Sequence, residues 1–219
     1  TGESLVAAVA EQLPELPAAG IVAEPCRRDT APCIGLSALL LARHDPDATL
    51  VVMPADHVIE PREAFQSVIR QAHELIEGEP SLMVTIGVPP TYPADIFGYI
   101  QRDSPMALST QSDFAPTYSV ARFREKPDAA TAAEYMASGE YYWNSGIFIW
   151  RADTILKALR EREPQMLAHL ERIAAAWGTT EQQEVLQREF EAIKPISIDY
   201  AVMEHATNVA VIEAPFEWD

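Results

Sequence analysis

The chain has 219 residues, of which 48% are apolar and 22% charged, and it carries a formal net charge of -17 at pH 7. That length supports a sizeable core, in one large domain or two small ones. Binding to DNA or RNA needs clustered Lys and Arg to neutralise phosphates, no such cluster occurs, and an acidic field repels anionic membranes, so neither nucleic acid nor membrane is an expected partner; a nucleotide needs only a local site and a divalent cation.

From the N-terminus, Leu5, Val6, Val9 and Leu13 fall at helical spacing after Ser4, predicting a helix over residues 4–13. Residues 20–23 read as a short strand. Thr30 then caps a helix with Pro32 in its first turn and an apolar run to Leu41. The run at 49–53 is continuously apolar, which predicts a strand buried on both faces of a parallel sheet. A helix over about 61–76 and a buried strand over 82–88 follow, broken by Pro89-Pro90. The middle, residues 93–126, is richer in short strands and loops, with extended pieces at 97–101 and 118–124, and is expected to add an antiparallel part and a sugar-side lobe to the same domain. A helix over 129–138 stops at Gly139, and a strand spans 146–151. Helices follow from Asp153 and over about 165–177, 180–193 and 199–205, before a last strand at 208–213. Strands alternating with helices in the first half imply βαβ units and a mainly parallel sheet.

Cys26 and Cys33 are too few for a disulfide framework and match no zinc spacing, so both read as free thiols. The longest apolar run, near 38–42, is far too short to span a membrane, and no basic-then-apolar leader is visible. The expected compartment is the cytoplasm.

Ligands of open α/β sheets bind beyond the carboxyl ends of strands, so the residues that follow each strand are the candidates. Pro54-Ala55-Asp56-His57 follows the 49–53 strand. Asp56 is placed either to bind Mg²⁺, which prefers oxygen ligands, or to cap the next turn. His57 reads more simply as a loop hydrogen bond than as a chemical group. Glu125-Lys126-Pro127 follows the 118–124 strand. Glu suits a pair of sugar hydroxyls and Lys suits phosphate, against a plain surface ion pair. Trp143-Asn144-Ser145-Gly146 precedes the 146–151 strand; an Asn amide suits hydroxyls and a Gly lets a ligand approach, against an ordinary turn. Arg27, Arg28, Asp29 and Thr30 sit before a helix N-terminus, a natural anion site or simply a capped helix. Asp199 is accounted for by an N-cap role.

The order of these segments says more than any one of them. Glu24-Pro25 with Arg28-x-Thr30-Ala31-Pro32, Met53-Pro54-Ala55-Asp56-His57, Gly98-Tyr99-Ile100, Phe123-x-Glu125-Lys126-Pro127, Trp143-Asn144-Ser145-Gly146-Ile147-Phe148, Ser197-Ile198-Asp199-Tyr200-Ala201-Val202-Met203-Glu204 and Trp218-Asp219 occur in sequence. Together they resemble the mannose-1-phosphate guanylyltransferases, a family of sugar nucleotidyltransferases, over nearly the whole chain. The resemblance implies a Rossmann-like α/β nucleotidyltransferase fold, a mixed and mainly parallel sheet flanked by helices, with residues 1–219 as a partial domain. It implies transfer of GMP from GTP to α-D-mannose 1-phosphate with Mg²⁺ as cofactor. A non-catalytic nucleotide-sugar-binding relative and a transferase for another hexose 1-phosphate are the alternatives, and a homo-oligomer stays open. Carried over by motif, Asp56 and Lys126 are the catalytic residues, and Asp56 with Asp219 or its successor holds the metal. Arg28, Thr30, Pro54, Ala55, Gly98, Glu125, Asn144 and Gly146 contact substrate, Arg28 and Thr30 on the guanine side. The family opens with a strand and a Gly-rich loop that grips the triphosphate. Neither occurs here, which implies a missing first βα unit, on the order of 30 residues or more, and little turnover by this chain alone. Ile96 stands where the family commonly has Gly.

Overall fold

The computed structural model describes residues 1–106 and 114–219. Helix α1 (Val6–Gln12) opens the chain and α2 (Thr30–Ala42) follows. Then come β1 (Thr49–Val52), β2 (Ile59–Glu60), α3 (Arg62–Gly78) and β3 (Met83–Val88). Strands β4 (Tyr99–Pro105) and β5 (Thr117–Arg124), helix α4 (Ala129–Ser138) and the long strand β6 (Tyr141–Arg151) form the middle. Helices α5 (Ala152–Arg162), α6 (Pro164–Ala176), α7 (Gln182–Ala192) and α8 (Ile198–Ala201) precede β7 (Val209–Glu213) and β8 (Glu217–Trp218). The stretch 107–113, part of the expected loop-rich middle, lies outside the described residues.

Six strands form one sheet in the order β1-β6-β3-β7-β5-β4, and a further pairing of β6 with β4 closes the last five strands on one another. Helices cover both faces. On one, α2 and α5 to α8 pack through Ile34, Ile155, Leu159, Leu170 and Phe190 against Phe148 and Trp150. On the other, α3 packs Val68, Ala72 and Ile76 against Val84, Ile86 and Ile149. The α/β class with a mixed, helix-flanked sheet is as expected from the sequence.

The expected excess of parallel pairing is corrected. Among the described strands, only β3 and β7 pair in parallel. Strands β1 and β3 do run the same way, as their helical connection dictates, but β6 is inserted between them, antiparallel to both. A βαβ pattern fixes strand direction and does not say which later strand enters between its two members. For the same reason β1 is an edge strand rather than a strand buried on both faces. Leu50 is buried, while Val51 is 38% exposed. An apolar run alone cannot separate the two situations.

Three boundaries also differ. Residues 20–23 form no strand: a 3-10 turn covers Ala18–Gly20 and only an isolated bridge joins Gly2 to Glu24. No neighbouring strand is there to pair with the segment. The short helix expected at 199–205 is two pieces, α8 and a 3-10 turn over Met203–His205, split where Val202 leaves helical geometry. The strand expected at 146–151 begins five residues earlier, at Tyr141. The Asn144-Ser145-Gly146 segment therefore lies inside β6, at an irregularity where Thr85 faces Phe148 but Gly87 faces Asn144. A bulge there, with Gly146 at φ 71°, bends the strand and re-aims Asn144.

Candidate active site

One cleft of about 570 Å³ gathers most of the residues that the sequence singles out. The loop after β1 contributes Pro54, Asp56 and His57, and the approach to β4 contributes Ile96, Phe97 and Gly98. Glu125 and Lys126 come from the end of β5, and Asn144, Ser145 and Gly146 from the β6 bulge. Trp218 and Asp219 complete the rim. A larger groove of about 1160 Å³, between the start of α3 and the 214–218 segment, holds none of the candidate residues.

Strand β8 closes the rim that carries Asp56 and Asp219. It pairs antiparallel with β2, and Asp219 exchanges backbone hydrogen bonds of 2.8 and 3.1 Å with Val58. The Trp218 indole N–H donates to His57 Nδ1 at 3.0 Å, which makes that nitrogen an acceptor and leaves the imidazole neutral in this contact. Burial pushes the His57 pKa down, against the pull of Asp56. His57 thus serves as the loop contact that its sequence suggests. Asp56 and Asp219 are exposed carboxylates on the same cleft. Two such oxygen ligands, with waters and substrate phosphates, fit a hard dication such as Mg²⁺, which retains part of its water shell. Among the described residues no set of three acidic, His or Cys side chains surrounds a metal position.

The other wall is crowded and acidic. The Glu125 side chain is 12% exposed and lies 3.6 Å from Lys126 Nζ. Its backbone N–H donates to Glu204 Oε1 at 3.2 Å. Burial pushes the Glu125 carboxyl above the usual range, and the nearby Asp199 adds to the rise while Lys126 opposes it. Asp199 is raised too, by burial, with the Asn144 amide opposing. Gly98 is required here: a Cβ would stand 2.5 Å from Glu125 Oε2 and 3.4 Å from Asn144 Cβ. Lys126 has φ 42°, in the left-handed region, and precedes a proline. A non-glycine residue held there costs about 1–3 kcal/mol, strain that concentrates at functional sites.

Not every expected residue reaches the cleft. Ala55 sits on its loop without lining it. Arg28 turns away: its Nε and Nη2 donate to the carbonyls of Phe190 and Glu191 at 3.2 and 2.6 Å, capping the end of α7. Thr30 Oγ1 accepts from the Ile198 N–H at 2.9 Å. Asp29, at φ 66°, caps α2 by accepting from the Thr30 N–H. The residue that sequence reasoning undervalued is Asp199, whose Oδ1 accepts from Asn144 Nδ2 at 2.9 Å. Its place in the Ser197-Ile198-Asp199 motif was the only signal.

The family model described as nucleotidyl transferase matches residues 4–210 of this chain. A mannose-1-phosphate guanylyltransferase of Escherichia coli (strain K12) is 38% identical over 215 residues, covering 96% of this chain and 44% of that protein. One from Klebsiella pneumoniae is 40% identical over 214 residues, with 96% and 44% covered. The chain therefore spans somewhat under half the length of these curated relatives. Among solved structures, a mannose-1-phosphate geranyltransferase from Thermus thermophilus superposes with a TM-score of 0.76 at 30% identity, covering 99% of this chain and 66% of that one. With the family model running over nearly all of its length and the cleft built from the segments just described, this chain belongs to the nucleotidyl transferase family.

Proposed function

We propose that the protein transfers GMP from GTP to α-D-mannose 1-phosphate, giving GDP-mannose and pyrophosphate, with residues 1–219 as its nucleotidyltransferase domain. The names of the guanylyltransferase relatives support the substrate pair. The observation that carries the reading is the meeting, in one cleft, of Asp56 and Asp219 with Glu125, Lys126 and Asn144.

In this reading a sugar-phosphate oxygen attacks the α-phosphorus of GTP, one P–O bond forms, and the bond to the departing pyrophosphate breaks. No protein nucleophile is needed, so catalysis rests on positioning and charge neutralisation. A bound Mg²⁺ supplies a Lewis acid for phosphate charge, and Asp56 and Asp219 are the residues that hold it. Lys126 neutralises the sugar phosphate as a compact point charge. Glu125 and Asn144 take hexose hydroxyls, Gly98 makes room for the Glu125 carboxylate beside the sugar, and Gly146 lines the cleft against Pro54. Arg28 and Thr30 act through the chain they hold rather than by touching substrate. No helix among the described residues is long and apolar enough to cross a membrane. The two free thiols support a cytoplasmic setting.

The test is pyrophosphate release by the full-length gene product. Release from GTP that requires both mannose 1-phosphate and a divalent cation supports the proposal. Equal or better turnover with glucose 1-phosphate and another nucleotide overturns the substrate assignment, and binding of GDP-mannose without turnover replaces the enzyme with a regulatory relative.

A further inference from the structure

Asn144 is held by both ends of its amide. Its Oδ1 accepts from the Gly146 N–H at 3.1 Å, and its Nδ2 donates to Asp199 Oδ1 at 2.9 Å. The reversed amide would set an oxygen against a carboxylate and an NH₂ against an N–H donor, repulsive at both ends. The carboxylate therefore decides the orientation. An Asn amide offers two donors and two acceptor lone pairs. With one of each consumed, one N–H and one lone pair remain, in fixed directions. A donor and an acceptor on one small planar group match two neighbouring hydroxyls, each of which can give and take a hydrogen bond.

Asp199 does not itself line the cleft. It is held from behind. Thr30 Oγ1 takes the Ile198 N–H at 2.9 Å, and backbone bonds of 3.1 and 3.2 Å tie Ala31 and Arg28 to Ile196. Ser197 Oγ caps α8 through the Tyr200 N–H. On the cleft side, the Asn144 N–H donates to the Gly98 carbonyl at 2.8 Å, so backbone and side chain of Asn144 are both tethered.

We propose that Asp199 is a positioning residue for the hexose: by fixing the amide of Asn144 it sets which hydrogen-bonding groups the cleft offers to a vicinal pair of sugar hydroxyls. This rests on the reading of the cleft as a sugar-phosphate site. Asp199 contacts no substrate, so its loss weakens the sugar side alone. In the full-length protein, Asp199→Ala raises KM for mannose 1-phosphate about tenfold or more, while KM for GTP stays within about twofold. Asp199→Asn restores most of the loss, because its side-chain oxygen accepts the same bond.

A second measurement is independent of turnover. In ¹H–¹⁵N spectra, the Asn144 side-chain amide, assigned by its disappearance in Asn144→Asp, shows one proton protected from exchange. The protection is lost in Asp199→Ala and retained in Asp199→Asn. An unchanged sugar KM in Asp199→Ala, an equal rise in both KM values, no rescue by Asn, or protection that persists in Asp199→Ala overturns the proposal. A wild-type protein with no mannose 1-phosphate-dependent turnover removes the functional reading instead, and the spectra then still decide whether Asp199 orients Asn144.

Discussion

Two buried-carboxylate regions of this molecule are built on opposite principles. Between α6 and α7, Glu189 is nearly fully buried and saturated with partners: Arg172 Nε at 2.6 Å, His169 Nδ1 at 2.9 Å and Arg188 Nε at 3.0 Å. Those partners, led by Arg172, pull its pKa down to about 2. At the cleft, Glu125 on its wall and Asp199 behind Asn144 share one lysine and are both pushed up, first by burial. The first site has completed its interactions within the chain. The second holds Lys126 in a strained backbone and leaves the Glu125 carboxylate on the cleft wall with Lys126, at 3.6 Å, as its ion-pair partner. Carboxyls raised by burial and by one another beside a cleft make that cleft the functional-site candidate.

The sharpest way to break this contrast is at the Asp56 rim, where the proposed metal would bind. Asp56→Asn removes a charge from an exposed loop residue, so the fold tolerates it while kcat falls by about 10²–10³-fold, the scale of losing one charge-stabilising group. Steady-state kinetics with a thermal melt checks both halves, and near wild-type turnover removes Asp56 from the metal site. Gly98→Ala comes next. The added methyl stands 2.5 Å from Glu125 Oε2 and touches Asn144 Cβ at 3.4 Å and the Arg124 carbonyl at 3.5 Å, so the Glu125 carboxylate must shift; stability falls by about 1–3 kcal/mol and KM for mannose 1-phosphate rises about tenfold. An unchanged KM contradicts the placement.

The helical region responds in stability instead. Glu189→Gln costs about 1–3 kcal/mol, discounted because Arg172 and Arg188 are half exposed, with no change in KM for either substrate. Denaturant melts measure it. The two regions also have opposite pH signs. Glu189 is depressed on folding, so its stabilisation is present above the ordinary glutamate value of 4.5 and is lost as pH falls toward about 2. Glu125 is raised on folding, so its contribution to stability is greatest at low pH and is lost as pH rises through its folded value. Its ionised form is the one that accepts hydroxyls. Sugar affinity therefore begins to fail, on acidification, at a higher pH than an ordinary glutamate would give, and Glu125→Gln abolishes that limb of the profile.

Much of the cleft was legible because its residues follow strand ends or close short motifs. Asp56, Gly98, Glu125 and Lys126 are local features of the loops at strand ends, which punctuate a sequence clearly, while Gly146 marks a bulge inside β6. What stayed hidden depended on distant partners. Arg28 looks like an anion ligand until α7 ends against it, a contact 162 residues away in the chain. Asp199 looks like a helix cap until the β6 bulge brings Asn144 to it. The insertion of β6 between β1 and β3 is a choice among strands that local apolar patterns do not encode, and it made the sheet more antiparallel than its βαβ rhythm suggests.

The central claim is that this cleft, and not the larger groove beside Trp143, receives the sugar phosphate. Titrating mannose 1-phosphate into ¹⁵N-labelled intact protein tests it most directly. The account predicts amide shifts concentrated at Gly98, Lys126, Asn144 and Gly146, with His169, Arg172 and Glu189 unmoved. Shifts gathered instead around Glu63, Thr91 and Phe216, or none in the cleft at saturating ligand, would contradict it.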